Sequence, residues 1–228
     1  MLTPTRTPRR RGVRLESLLG VYSAQRDSAL LGDVVESETG PGDRVVDLCT
    51  GSGVLAVRAA LRCRTTVSAV DVSRGALMVA RRAARRAGVS LRLHRGDLLD
   101  PVAGRSFDLV VANPPYVPAR DDDLPRRGRR RAWDGGLDGR SLVDRICRTA
   151  PRALAPGGRL LLVQSEFTGV EQSRRLLEEQ GLAVDVAARC EHPFGPVLTR
   201  RAAHLERAGL LEAGRRHEEL VVLRARAA

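Results

Sequence analysis

The feature that most constrains this chain is a glycine-rich turn held between a short strand and a helix. Arg44 to Leu48 reads as a buried strand, Gly53 to Arg62 reads as a helix, and Cys49-Thr50-Gly51-Ser52-Gly53 joins them. Glycines at this spacing permit a tight turn and let a ligand approach the backbone closely. The pattern then repeats as strand and helix along the chain. Thr66 to Asp71 reads as a second strand, and Ser73 is the expected N-cap of a helix running to Ala87 and stopped by Gly88. Val89 to His94 and Phe107 to Ala112 are strands. Arg140 to Leu154 is a helix closed by Ala155-Pro-Gly-Gly158, and Arg159 to Val163 is a fifth strand. Thr168 to Gln180 reads as a helix, and Leu182 to Ala188 and His217 to Arg224 are the last two strands. Alternation at this spacing dictates an α/β fold with a parallel sheet wrapped on both faces.

Around this frame lie less regular segments. Residues 1–14 hold five arginines and no acid and read as a disordered basic arm. Leu15 to Thr39 has a helical pattern, with Leu30, Leu31, Val34 and Val35 as its apolar stripe. Residues 15–228 are expected to form a single domain, with a substrate loop at 117–137 whose charged stretch 119–131 reads as mobile, and an insertion at 191–216 whose centre, Thr199 to Ala208, is a short helix.

The net charge is +12, and all 39 basic residues are Arg. That composition suggests a GC-rich genome, so part of the charge reflects codon choice, although a basic chain still favours acidic partners such as RNA. The N-terminal residues lack the apolar core of a secretory signal. No apolar run approaches the ~18 residues of a membrane helix. Cys49, Cys63, Cys147 and Cys190 are scattered with no Cys-x-x-Cys pair, which argues against a metal site or a disulfide framework and fits a reducing cytoplasm.

Three elements accompany the glycine turn. Asp71 ends the second strand twenty residues after Gly51, where an acid can bond the ribose hydroxyls of a nucleoside ligand. Asp47 stands just before the turn. A carboxylate there would repel a pyrophosphate but suits a ligand carrying an ammonium and a sulfonium, which favours S-adenosylmethionine over a dinucleotide. Gly96-Asp97-Leu98 follows the third strand, where Asp97 would accept a hydrogen bond from an adenine amino group or simply cap a turn. The most informative motif is Asn113-Pro114-Pro115-Tyr116, at the carboxyl end of the fourth strand, the edge where open parallel sheets bind ligands. Two prolines fix the backbone and remove two N–H donors, leaving carbonyl acceptors. The Asn113 side-chain oxygen and the Pro114 carbonyl then suit the two hydrogens of a substrate NH2 group, and Tyr116 would pack on a flat group beside it.

Asp47 to Gly53, Asp71, Gly96-Asp97 and Phe107 to Tyr116 together resemble the class I S-adenosylmethionine-dependent methyltransferases. Within them the chain is similar to the HemK/PrmC family, which methylates a glutamine side-chain amide in translation release factors. The likeness extends over residues 20–228 and includes Ala132-Trp-Asp-Gly-Gly-Leu-Asp-Gly139 and Ala155-Pro-Gly-Gly158. It implies a Rossmann-like, doubly wound, seven-stranded sheet, mostly parallel with an antiparallel last strand. It implies a cofactor site of Tyr22, Asp27, Ser28, Asp47, Cys49, Thr50, Gly51, Ser52, Gly53, Asp71, Val72, Asp97, Leu98 and Asn113, and a catalytic motif of Asn113, Pro114, Pro115 and Tyr116. Because the turn already sits at residue 51, the layout is that of the family's short form, which works with a small activator subunit; in that branch an acid stands where this chain has Arg26. Asn-Pro-Pro-Tyr is shared with enzymes that methylate exocyclic amines of RNA or DNA. Nucleic acid and small-molecule or peptide amines therefore stand as alternative acceptors, and a non-catalytic cofactor-binding subunit as a further alternative. The four histidines suggest no general base.

Overall fold

A computed structural model describes residues 26–125 and 128–227. Its centre is a seven-stranded sheet in the order β3-β2-β1-β4-β5-β7-β6. The strands are β1 (Val45–Leu48), β2 (Val67–Asp71), β3 (Leu91–Arg95), β4 (Phe107–Ala112), β5 (Leu154–Ser165), β6 (Ala183–Pro193) and β7 (His217–Arg226). β1 to β5 pair in parallel, and β7 enters antiparallel between β5 and β6. The helices are α1 (Arg26–Glu38), α2 (Val54–Cys63), α3 (Arg74–Ala87), α4 (Val143–Thr149), α5 (Val170–Glu178) and α6 (Pro196–Arg207).

The central strands are apolar on both faces, as a sheet covered twice requires. Val46, Leu48, Val110, Ala112, Leu160 and Leu162 face α4 and α5, meeting Ile146 and Leu177. The alternate residues Val45, Leu109, Val111, Leu161 and Val163 face α1 and α2, meeting Leu31, Val35, Leu55 and Ala59. Ser73 caps α3 by accepting a hydrogen bond from the Ala76 amide at 3.3 Å, and Gly88 ends the helix in the left-handed region.

The structure corrects several element boundaries. Of the helix expected from Leu15, the described part begins at Arg26 and ends at Glu38; the basic arm and Tyr22 lie outside the described residues. The third strand starts at Leu91, not Val89. The helix expected over 140–154 is confined to α4 with a 3-10 turn behind it, because β5 begins at Leu154, five residues before the expected Arg159. The strand passes through Ala155-Pro-Gly-Gly158 instead of starting after it. A bulge opposite Phe107 and Leu109 absorbs the change of register. Gly158 makes this possible, since a Cβ there would lie 2.7 Å from the Ala155 carbonyl oxygen and 2.9 Å from that of Phe107. β6 likewise runs to Pro193, five residues beyond the expected Ala188, and α6 starts at Pro196. The proline is tolerated because β6 is an edge strand and Pro193 ends it.

Candidate active site

The carboxyl ends of β1, β2 and β4 open into one cleft of about 740 Å³, a size suited to a small-molecule ligand. Its floor is the β1–α2 turn. Cys49, Gly51 and Gly53 all have positive φ, so the chain reverses within five residues. Gly53 has a second reason to be glycine, because a Cβ at φ +79° would lie 2.7 Å from Ala80 Cβ on α3. Asp47 is buried and holds the turn from behind. Its Oδ2 accepts hydrogen bonds from Thr50 Oγ1 at 2.5 Å and from the Ala56 amide at 3.1 Å. Burial pushes this carboxyl up to about 7, against the pull of those two bonds. Its Oδ1 has no hydrogen-bond partner.

Asp71 ties the turn to the next helix. One oxygen accepts from the Gly51 amide at 2.9 Å and the other from the Ser73 amide at 2.7 Å. Burial raises its pKa despite both bonds. The Cys49 thiol is raised well above the ordinary thiol range by burial and by the nearby carboxylates of Asp71, Asp47 and Asp97, so it is no nucleophile. Asp97 lies on the cleft wall and accepts a hydrogen bond from Arg145 Nη2 at 2.8 Å in a half-exposed pair.

Across the cleft, Asn113 to Tyr116 leave the end of β4 and meet the start of α1. Asn113 Nδ2 donates to Ser28 Oγ at 3.1 Å, and the Tyr116 hydroxyl donates to Asp27 Oδ2 at 3.3 Å. Asp27 Oδ1 in turn accepts from the Ser28 amide at 2.6 Å. With its NH2 group turned toward α1, the Asn113 amide keeps its oxygen as an acceptor. Among the described residues no protein donor engages that oxygen or the Pro114 carbonyl.

The far wall is formed from residues 117–125 and 128–137. Val117 donates to the Trp133 carbonyl at 2.8 Å, Gly135 donates back to Val117 at 3.0 Å, and Ala119 donates to Gly136 at 2.7 Å. The loop's two ends are thus laced together beside Tyr116. Asp134, 1% exposed, is clamped twice, by Arg130 Nε at 2.7 Å and by Arg201 from α6. Arg201 also donates to the Pro118 carbonyl at 2.7 Å. Leu198, Ala202 and Leu205 of α6 pack under Val117. The segment expected as an insertion is therefore a buttress for the far wall of the cleft.

The structure brings together Asp27, Ser28, Cys49, Thr50, Gly51, Ser52, Asp71, Val72, Asp97, Leu98, Asn113, Pro114, Pro115 and Tyr116 on one cleft wall or another. Asp47 and Gly53 stand behind the wall and shape it, and Tyr22 lies outside the described residues. Sequence reading missed Arg145, whose place follows only from the packing of α4. It also missed Arg201, which lies 67 residues from Asp134 and carries no local signal. No group of three or more metal-ligating side chains is found among the described residues. None of the helices described is long and apolar enough to cross a membrane.

This sheet order, with a nucleoside-sized cleft at the turn after β1, defines the class I methyltransferases, which implies S-adenosylmethionine as methyl donor. The chain belongs to the methyltransferase small-domain family, whose model matches residues 12–125. It is 48% identical over 126 residues to the ribosomal protein uL3 glutamine methyltransferase of Bradyrhizobium diazoefficiens, a match covering 52% of this chain but 40% of that protein. It is 29% identical to a putative protein N5-glutamine methyltransferase of Methanocaldococcus jannaschii, covering 85% of this chain and 97% of the other. The chain thus spans less than half the length of the first relative and nearly all of the second. Among solved structures, the E. cuniculi Mtq2–Trm112 complex, described as responsible for methylation of the eRF1 termination factor, matches with a TM-score of 0.64 at 25% identity. That match covers 92% of this chain and 99% of the other.

Proposed function

We propose that this chain moves the methyl group of S-adenosylmethionine to the side-chain amide nitrogen of a glutamine in a protein of the translation apparatus, such as a release factor. The observation that carries the reading is the orientation of Asn113. Its NH2 is spent on Ser28, so its oxygen stands beside the Pro114 carbonyl as a second acceptor at the cleft edge. Two acceptors side by side suit the two hydrogens of a planar NH2. Holding both hydrogens favours a pyramidal nitrogen, whose lone pair is then free of conjugation and can be aimed along one line.

The donor side fits the cofactor. Each Asp71 oxygen already accepts one amide and keeps a lone pair for a ribose hydroxyl. The unpartnered Asp47 Oδ1 suits a cationic ammonium group, reached directly or through water. Gly51, Thr50 and Ser52 line the turn where a ligand would lie against backbone. When bound, S-adenosylmethionine supplies an electrophilic methyl on a sulfonium; the C–N bond forms as the C–S bond breaks. The chain's residues orient the nitrogen, exclude water and accept its hydrogens, and the proton then released passes to solvent. None of the described histidines lines the cleft, so positioning and electrostatics carry the rate.

The remaining parts fall into place under this reading. Residues 15–228 act as one methyltransferase domain in the cytoplasm, with 117–137 as its substrate loop. The partners are a glutamine-bearing translation protein and a small activator subunit. The test is transfer of labelled methyl into a fractionated cell extract, with Asn113→Ala as control. Label removed by protease and spared by nuclease supports the reading. The variant should keep cofactor affinity and lose on the order of 10²-fold in turnover, the usual cost of one polar contact to the reacting group. Nuclease-sensitive label, or a fully active Asn113→Ala, would overturn it.

A further inference from the structure

The net charge of +12 is not spread over the molecule. Residues 72–96 hold seven arginines and no acid, and residues 1–25 hold five arginines and one acid. The rest of the chain is nearly balanced, with 27 arginines against 26 acids. The seven are Arg74, Arg81, Arg82, Arg85 and Arg86 on α3 and Arg92 and Arg95 on β3, and all are exposed. Elsewhere about half of the described arginines are paired with acids, as at Arg58, Arg140, Arg159 and Arg224, and the others are not gathered on one acid-free face. None of the seven forms an ion pair among the described residues.

Local structure explains only part of this. Cations in the last turn of α3 meet the negative end of the helix dipole, which accounts for Arg85 and Arg86. Charge on the edge strand β3 discourages strand-to-strand association, which accounts for Arg92 and Arg95. Neither explains Arg81 and Arg82, which stand one turn before Arg85 and Arg86 at i,i+4 and so oppose the helix by like-charge repulsion. Neither explains why no acid relieves them. The face also leads into the cleft. Arg95 Nε donates to the Val72 carbonyl at 3.4 Å, and Val72 and Ser73 line the cleft wall.

We propose that the α3–β3 face docks on the phosphate backbone of RNA, setting the cleft beside an acceptor carried on an RNA-bearing assembly. The choice of RNA rests on the reading of the acceptor as a translation protein; the charge alone demands only a polyanion. Binding is read without turnover, so failure of RNA docking and failure of glutamine methylation are separate results.

The experiment is fluorescence anisotropy of the full chain with a labelled RNA hairpin across a salt series. Two double variants of equal charge change are compared, Arg81→Glu/Arg85→Glu on α3 and Arg200→Glu/Arg207→Glu on the exposed side of α6. The α3 pair should raise Kd by on the order of 10-fold or more, and lower the slope of log K against log salt by about 1.4 to 1.8, two phosphate contacts' worth. The α6 pair should change Kd less than about threefold. Retained S-adenosylmethionine binding in both shows that they fold. Equal weakening by both pairs would mean unspecific attraction and overturn the proposal. So would tighter binding of a DNA duplex, or competition by polyglutamate as effective as by unlabelled RNA, which would point to an acidic protein.

Discussion

The clamp on Asp134 yields a quantitative prediction. Arg201→Met keeps an unbranched stem of similar length on α6 and removes the guanidinium. One oxygen of a carboxylate that is 1% exposed then loses its partner, and the Pro118 carbonyl loses a donor. Breaking a buried ion pair costs about 3 to 5 kcal/mol when the surviving charge is left alone. Here Arg130 still holds the other oxygen at 2.7 Å, so the loss should be nearer that of one charge-assisted hydrogen bond, about 2 to 3 kcal/mol. Urea unfolding measures it, with the slope unchanged and the midpoint lowered. Asp134→Asn in the same background should recover on the order of 1 kcal/mol of the summed single losses, because the orphaned charge is gone. Cofactor affinity should stay within about twofold, while turnover falls on the order of 10-fold or more as the loop beside Tyr116 loses its register. Additive losses, or weakened cofactor binding with normal turnover, would refute the clamp as a support of the acceptor side.

Three further outcomes are expected. Gly53→Ala should cost about 2 to 5 kcal/mol by thermal or urea unfolding, combining left-handed strain with the contact at Ala80, while Gly51→Ala, with no atom nearer than 3.8 Å, should cost only about 1 to 2 kcal/mol. Equal losses would remove the packing role of Gly53. Glu218 is buried, and burial holds its carboxyl protonated up to about 7 from an ordinary 4.5. The folded chain therefore binds the extra proton between those values, and stability falls as pH rises through that window. Glu218→Gln should flatten that decline and add about 2 to 3 kcal/mol at pH 8 relative to the parent chain, as read from unfolding midpoints across pH; an unchanged pH profile would show that Glu218 is ionised when folded. Ser28→Ala frees the Asn113 amide to rotate and should lower turnover severalfold, with cofactor binding measured by calorimetry little affected; unchanged turnover would show that Asn113 needs no such restraint.

Much of the nucleoside side was legible because its signals are local. The strand before Gly51, the Ser73 cap, the Gly88 stop and the acid at Asp71 each sit within a few residues of the structure they specify. Asn113 to Tyr116 could be placed at the sheet edge because the apolar run before them ends there. The acceptor side was less legible because its contacts are long-range. Nothing near Asp134 announces Arg201, and nothing near Tyr116 announces Asp27, 89 residues away. Asp47 illustrates a subtler limit. Its type and place suggested direct ligand contact, yet its carboxylate turns back to the Thr50 hydroxyl and the Ala56 amide, and only one oxygen is left over. Pairing explains the two strand boundaries that moved. β5 and β6 extend past their sequence signals because β4 and β7 offer partners beyond them. Composition gave the size of the net charge but not its segregation onto α3 and β3.

The buttress formed by α6 also orders events in time. The strands that carry the turn, Asp71 and Asp97 have all been made once residue 112 has been added. The far wall of the cleft waits for a residue nearly ninety positions later, because Asp134 and Pro118 are held by Arg201. β5 is likewise left with an open edge until β7 slides in beside it. A nascent chain therefore has the glycine turn and its flanking acids well before it has the clamp that holds the far wall of the cleft. On the proposed function, the residues that would take the methyl donor precede in synthesis those that fix the opposite wall.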